Sequence, residues 1–246
     1  MTKNSIPTTV DFSKNVKKHE AEKSSENQNK KYLRYIFERN CSGTTKKLQQ
    51  KTVAIAGLGG LGSNAAVALV RAGVGKLIIA DFDKVELSNL NRQHYFQSDL
   101  GKKKSEALRD HVLNINPDIK LEVHNKKLEP SDITRIFKNA DILIEAFDLA
   151  DRKKWLIETW SKNFPKKPVV SGNGLSGMGH TNDMKVIKAG QIYFCGDATT
   201  EMKMGLLSSR VAIVANMQAN VCIELLLTDR YKETKNNSDF INNFHF

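Results

Sequence analysis

KTVAIAGLGGLGSNAAVALVRAGVGKLIIADFD, residues Lys51–Asp83, decides the fold. Val53–Ala56 is a short apolar run containing β-branched residues and reads as a buried strand. Gly57-Leu58-Gly59-Gly60-Leu61-Gly62 follows at once, and Ser63 suits the cap of an apolar helix over Asn64–Ala72 that Gly73 stops. Lys76–Ala80 is a second buried strand, ending in Asp81. The result is a β-α-β unit with glycines in its first turn and a carboxylate at the tip of its second strand. Glycines let the backbone approach a phosphate, and a helix N-terminus offers free N–H groups and a positive dipole end. The acid can take a ribose hydroxyl. Gly57, Gly59 and Gly62 also satisfy the dinucleotide fingerprint, so a nicotinamide enzyme competes at this point.

Moving outward, Met1–Asn29 is rich in Lys, Glu, Ser and Asn and reads as a disordered or loosely helical arm. Residues 30–230 form the expected main domain, and 231–246 a polar tail. Tyr32, Leu33, Ile36 and Phe37 fall at helical spacing, so a short helix within Lys30–Gln50 leads into the first strand, carrying Arg34 and Arg39. Beyond Asp83, a polar loop precedes a helix over Gly101–Asn114, with Leu100, Ala107, Leu108, Val112 and Leu113 as candidate core positions. Ile119–His124 is a strand and Ser131–Lys138 a helix capped by Ser131. Asp141–Ala146 is a buried strand, Ala150–Ser161 a helix and Val169–Ser171 a short strand. Alternating helices and buried strands predict an α/β fold: a Rossmann-like, mostly parallel sheet with helices on both faces. Lys185–Lys188 and Gln191–Phe194 add a short antiparallel C-terminal extension around Ala189-Gly190. Leu206–Leu227 is a long apolar helix, buried against the sheet or a second subunit.

The 246 residues suit one α/β domain with attachments, and 40% hydrophobic with 26% charged residues is ordinary for a globular chain. No apolar run reads as a bilayer span and the N-terminus lacks a secretory core, so no membrane partner and a cytoplasmic location are expected. The net charge of +11 comes from lysines spread along the chain without arginine-aromatic interleaving, which argues against nucleic acid as the partner. Cys41, Cys195 and Cys222 form no Cys-x-x-Cys pair, so neither a disulfide framework nor a zinc site is expected. Cys195 reads as a buried thiol.

Several polar residues suit a triphosphate rather than a dinucleotide. Asn89 and Gln93 are neutral hydrogen-bonding groups, and Arg92 offers a rigid fork for phosphate oxygens. Lys102-Lys103-Lys104 opens a helix where lysines oppose the dipole. Lys104, near the surface, is placed to meet an anion. Asp148 ends a buried strand on the edge where the glycine turn lies; it suits Mg²⁺ beside a triphosphate, or a helix cap, or both. Asp141, at a strand start, is structural.

In order, Gly57–Gly62, Asp81-Phe82-Asp83, Val85-Glu86, Ser88–Gln93, Gly101-x-x-Lys104, Ile115-Asn116-Pro117 and the Asp148 turn resemble the adenylating enzymes that include ThiF, MoeB and the adenylation domain of ubiquitin-activating enzymes. Ser171-Gly172, Ser176-Gly177, Cys195-Gly196-Asp197, Arg210-Val211 and Gln218-Ala219-Asn220 resemble a short ThiF subfamily that acts on the sulfur carrier ThiS in thiazole biosynthesis. The resemblance implies that a carrier's C-terminal Gly-Gly carboxylate attacks the α-phosphate of ATP and expels pyrophosphate. It implies nucleotide binding by Gly57, Gly59, Gly60, Gly62, Asp81, Asp83, Asn89, Arg92, Gln93 and Lys104. Catalytic roles fall to Arg92, Lys104, Asp148 (through Mg²⁺) and an arginine, Arg39 or else Arg34, supplied across a homodimer. The resemblance also admits a tRNA-modifying dehydratase of the same superfamily and a non-catalytic carrier-binding scaffold. Many relatives hold zinc on two Cys-x-x-Cys pairs that this chain lacks, and no cysteine occupies Gly172–Asp183 for sulfur transfer.

Overall fold

A computed structural model of the chain describes Tyr32 and residues 35–228. The expected N-terminal arm, Arg34 and the polar tail lie outside the described residues. The chain divides into two compact units, Met1–Arg39 and Asn40–Phe246. In the first unit, Arg39 is an exposed turn residue.

The second unit is built on seven strands: β1 (Thr52–Ala56), β2 (Lys76–Ala80), β3 (Lys120–His124), β4 (Ile142–Glu145), β5 (Val169–Gly172), β6 (Lys185–Ala189) and β7 (Ile192–Gly196). Their order is β3-β2-β1-β4-β5-β7-β6. All neighbours are parallel except β6, which pairs antiparallel with β7, so the hairpin extends the sheet as expected. Its tight turn sits at Gly190-Gln191, where Gly190 adopts φ 63, one residue beyond the expected place. The chain reverses between β1 and β4, which puts the natural ligand crevice at the carboxyl ends of these two strands.

Among the described residues of this unit the α-helices are α1 (Thr44–Leu48), α2 (Gly60–Ala72), α3 (Lys104–Ile115), α4 (Pro130–Ile136), α5 (Ala150–Asn163) and α6 (Ser208–Thr228). One core cluster joins Ala54, Ile78 and Leu143 of the central strands to Ile133, Phe137, Leu156 and Trp160. On the other face α6 packs along α2 and crosses β4, β5 and β7, with Val211, Val214, Ala215, Cys222 and Leu225 buried.

Some local readings need correction. The helix expected near Lys30–Gln50 is interrupted: Gly43, at φ 75, precedes α1. Helix α2 starts at Gly60, so Ser63 lies inside its first turn, and the Ser63 hydroxyl donates to Gly59 O at 2.6 Å. Ser131 does not cap α4: Glu129 holds that position, and the Asp132 carboxylate accepts from Glu129 N. Leu100 and Leu113 are exposed, because the buried face of α3 follows Ala107, Leu108, Val112 and Ile115. Helix α6 is also long and apolar enough to cross a membrane, contrary to the sequence reading, with mean hydropathy 1.6 over its best window. Half of that window is buried against the rest of the protein, which accounts for its composition.

Candidate active site

The glycine turn is pinned before any side chain reaches outward. Gly57 takes φ 90, and a Cβ there would lie 2.8 Å from Ala146 O. A Cβ on Gly62 would lie 1.9 Å from Gly57 O, so the helix can pack this closely on the strand only with glycine at that position. Gly59 differs. The nearest atom to a Cβ there is Gln93 Nε2, at 3.8 Å, so packing alone does not demand glycine. At Gly60, a Cβ would meet Val211 of α6 at 2.7 Å.

Asp81, at the tip of β2, fixes this turn from the side. Its Oδ2 accepts from Leu58 N at 2.6 Å and its Oδ1 from Asp83 N at 2.7 Å. Burial raises its carboxyl pKa above the ordinary range, with the two backbone bonds acting in opposition. Each oxygen keeps a second lone pair for a ligand. Tyr95 closes the turn from below, donating its hydroxyl to Leu58 O at 2.9 Å.

The loop after β2 is tied to α2 through Asn64, whose amide donates to Arg92 O at 2.9 Å, and through Ser63, whose hydroxyl accepts from His94 N. Arg92 is thereby held at the cavity wall. Its guanidinium donates to Ser88 O and Asn91 Oδ1, both neutral, and pairs with no carboxylate among the described residues. Gln93 is buried beside it, and its Oε1 is an orphan acceptor. Lys104, the first residue of α3, is 6% exposed rather than near the surface, and its Nζ lies 3.2 Å from Asp83 Oδ2. The three-lysine run is compensated throughout: Lys102 pairs with Asp99 and Lys103 with Glu106.

These residues share one cavity of about 520 Å³ at the carboxyl ends of the strands. Gly57, Gly59, Gly60, Asp81, Asp83, Arg92, Gln93, Lys104 and Asp148 all line it. Gly62 stays behind the turn. Asn89 is absent from the wall, because its Oδ1 accepts from Glu86 N and shapes its own loop. Asp148 is exposed and does not cap α5, whose cap position is Leu149. Asp141 accepts from Thr52 N at 2.8 Å and only ties β4 to β1, as expected. Cys195 is fully buried and its thiol is pushed up to about 12 by burial, which fits a packing thiol.

Other groups escaped the sequence reading. Phe82 is 44% exposed at the cavity, with Lys127 and Arg152 at 6.0 and 5.8 Å from its ring centre. Lys126 and Lys127 follow β3 after one intervening residue, and the rule that ligands gather beyond parallel strand ends could have found them. Glu145, fully buried at the end of β4, accepts from Phe147 N, Lys153 Nζ and Ser171 Oγ at 2.7, 2.8 and 2.6 Å, bracing the turn that presents Asp148.

A glycine turn that opens a helix at the switch point of a parallel sheet is an arrangement that can take a phosphate, and comparison with known proteins narrows the class. A model of the ThiF family matches residues 32–246, and the chain belongs to that family. Ubiquitin-like modifier-activating enzyme 5 of Caenorhabditis elegans is 40% identical over 126 residues, which is 51% of this chain and 29% of the worm protein. The probable adenylyltransferase/sulfurtransferase MoeZ of Mycobacterium tuberculosis is 38% identical over 104 residues, 42% of this chain and 26% of that protein. The matched stretch thus spans less than a third of either relative. Among solved structures, the E. coli tRNA N6-threonylcarbamoyladenosine dehydratase TcdA superposes with TM-score 0.74 at 19% identity, covering 82% of this chain and 98% of that one. E. coli MccB with ATP gives 0.60 at 20% identity, covering 77% and 59%. At these identities the structures speak for the fold.

Proposed function

We propose that this chain uses ATP to adenylate the C-terminal glycine carboxylate of a ubiquitin-like sulfur-carrier protein of the ThiS kind, supplying sulfur chemistry for the thiazole of thiamine. The observation that carries this reading is the meeting of Arg92, Lys104 and Asp148 with the glycine turn in one cavity. A nicotinamide cofactor would use the glycines and Asp81 and leave Arg92, Lys104 and Asp148 without a task.

In the reaction, a carboxylate oxygen attacks the α-phosphorus, the bond to the bridging oxygen of the β-phosphate breaks, and pyrophosphate leaves with the electron pair. The protein's share is positioning and charge neutralisation. The glycine turn offers backbone N–H groups to phosphate oxygens, while Arg92 and Lys104 face the charge that builds on the leaving pyrophosphate. Asp81 and Asp83 serve the ribose hydroxyls. An unpaired, exposed carboxylate beside a triphosphate suits a hard cation, so Asp148 would hold Mg²⁺, which when bound neutralises phosphate charge. An arginine from a second copy, Arg39 or Arg34, completes the site in a homodimer.

The test is ATP–pyrophosphate exchange with a ubiquitin-like carrier ending in Gly-Gly. Exchange that depends on the carrier, and is lost when its last glycine is removed, is the expected result. A second reading, a tRNA-modifying dehydratase, has its own support in the fold match, which spans nearly all of TcdA. Exchange driven by tRNA and not by a carrier would favour it.

A further inference from the structure

The buried pair Asp197–Arg210 has no part in the chemistry above. Arg210 is 2% exposed and Asp197 4%. Arg210 Nη2 donates to Asp197 Oδ2, and Nη1 donates to Gly179 O. Asp197 Oδ1 accepts from Thr199 N and Thr200 N at 2.8 and 2.9 Å, and from both threonine hydroxyls at 3.2 Å. One guanidinium therefore ties together the loop after β5, the turn after β7 and the start of α6, where the adjacent Val211 abuts Gly60.

The two tied turns interlock. A Cβ on Gly174 would fall 2.0 Å from Asp197 Oδ1, and one on Gly196 1.8 Å from Asn173 O. Ala198 sits at φ 61, a left-handed conformation that costs energy for a residue with a Cβ. A buried ion pair rarely raises stability over apolar packing; this one joins three segments through bonds that only one arrangement of them satisfies. The geometry selected here is a wall of the cavity: Asn173, Gly174, Leu175, Ser176, Thr200 and Glu201. By strand order this wall belongs to the β5–β7 half of the sheet edge, whereas Asp81, Asp83 and Lys126 follow β2 and β3 on the other half. Glycine, amide and hydroxyl groups suit the main chain of an extended peptide.

We infer that Arg210 is a positioning residue for the carboxylate substrate: it fixes the half-cavity that admits the carrier's C-terminal strand and leaves nucleotide affinity to the other half. The inference rests on the adenylation reading. Arg210→Lys keeps the charge but replaces the two-pronged guanidinium, which bonds Gly179 through Nη1 and Asp197 through Nη2, with a single nitrogen. Thr200→Val removes one hydroxyl donor at nearly constant volume and carries the test if the lysine variant does not fold. The probes are Mg-ATP, titrated by calorimetry, and a synthetic peptide ending in Gly-Gly that drives pyrophosphate exchange. Arg210→Lys should raise the KM for the peptide about tenfold, as displacement of a substrate-holding wall does, with kcat within about threefold. Its Kd for Mg-ATP should stay within about twofold, since no nucleotide contact is assigned to this wall. Thr200→Val should shift the same parameter in the same direction, by less. Hydrogen exchange should quicken in residues 173–179 and 197–201 and not in 57–62. An unchanged peptide KM, or ATP affinity falling in step with it, overturns the inference while leaving the adenylation reading intact. A wild-type protein that binds Mg-ATP yet gives no exchange with the peptide overturns the carrier-tail reading and this inference together.

Discussion

Lys104 sits in a small balance of charges that makes its substitution informative. Its ammonium is buried against a half-exposed Asp83, so Lys104→Ala should cost only about 1–2 kcal/mol of stability, because the carboxylate left behind can be hydrated. Pyrophosphate exchange should nevertheless fall about 100-fold or more, the usual loss when a donor to developing phosphate charge is removed. Arg92→Ala should lose activity similarly with smaller effect on the melting temperature, since its present bonds go to neutral acceptors. Chemical unfolding and exchange rates on the same preparations check both. Near-normal exchange in either variant would remove that residue from the site. What was legible of this residue layer is its placement: Arg92, Gln93 and Lys104 follow one another closely in the chain and line one cavity. Asn89 was not: its amide turns back on Glu86 N, a choice made by local geometry that composition does not reveal. Asp197 and Arg210 were equally hidden, since nothing periodic links an acid after one strand to a base in a later helix.

Among the elements, the glycine turn separates packing from binding. Gly62→Ala should destabilise strongly or prevent folding, because its Cβ would collide with backbone at 1.9 Å. A Cβ on Gly59 would meet nothing closer than 3.8 Å, so Gly59→Ala should lose less melting temperature than Gly62→Ala and lose Mg-ATP affinity. Calorimetry on the two variants distinguishes the roles; a Gly59→Ala protein that binds Mg-ATP as wild type does would show that no phosphate approaches this position. The strands were read almost to the residue, since buried parallel strands are short β-branched runs closed by turn residues. Helix starts were read less well. Ser63 and Ser131 both satisfy the capping preference, but α2 begins earlier on a glycine and α4 on Pro130, so tertiary packing overrode a local rule.

At the scale of the molecule, two buried carboxylates couple stability to acid. Burial opposes ionisation of Asp132 and Asp197, yet hydrogen bonds from Lys126 and Arg135, and from Thr199, Thr200 and Arg210, lower each to about 2. An acid whose folded pKa lies below its unfolded value of about 4 stabilises the fold above that value and loses the contribution as pH falls toward the folded pKa. Melting temperature should therefore drop steeply between about pH 4 and pH 2, each group contributing on the order of 2 kcal/mol, and Asp132→Asn should flatten the slope. A second expectation concerns assembly. Mixing inactive Arg39→Ala and Lys104→Ala proteins should restore exchange, because a mixed dimer holds one site with both residues; persistent inactivity after proven subunit mixing, or an active monomer, would reject the shared site. If Arg39→Ala is itself active, Arg34 takes its place in the same experiment. The central claim, that a triphosphate and not a dinucleotide occupies the glycine turn, is tested most directly by titrating the full chain with Mg-ATP and, in parallel, with NAD. Binding of Mg-ATP near one equivalent, weakened by Lys104→Ala, with no heat from NAD is the expected result; NAD binding without ATP binding would contradict it.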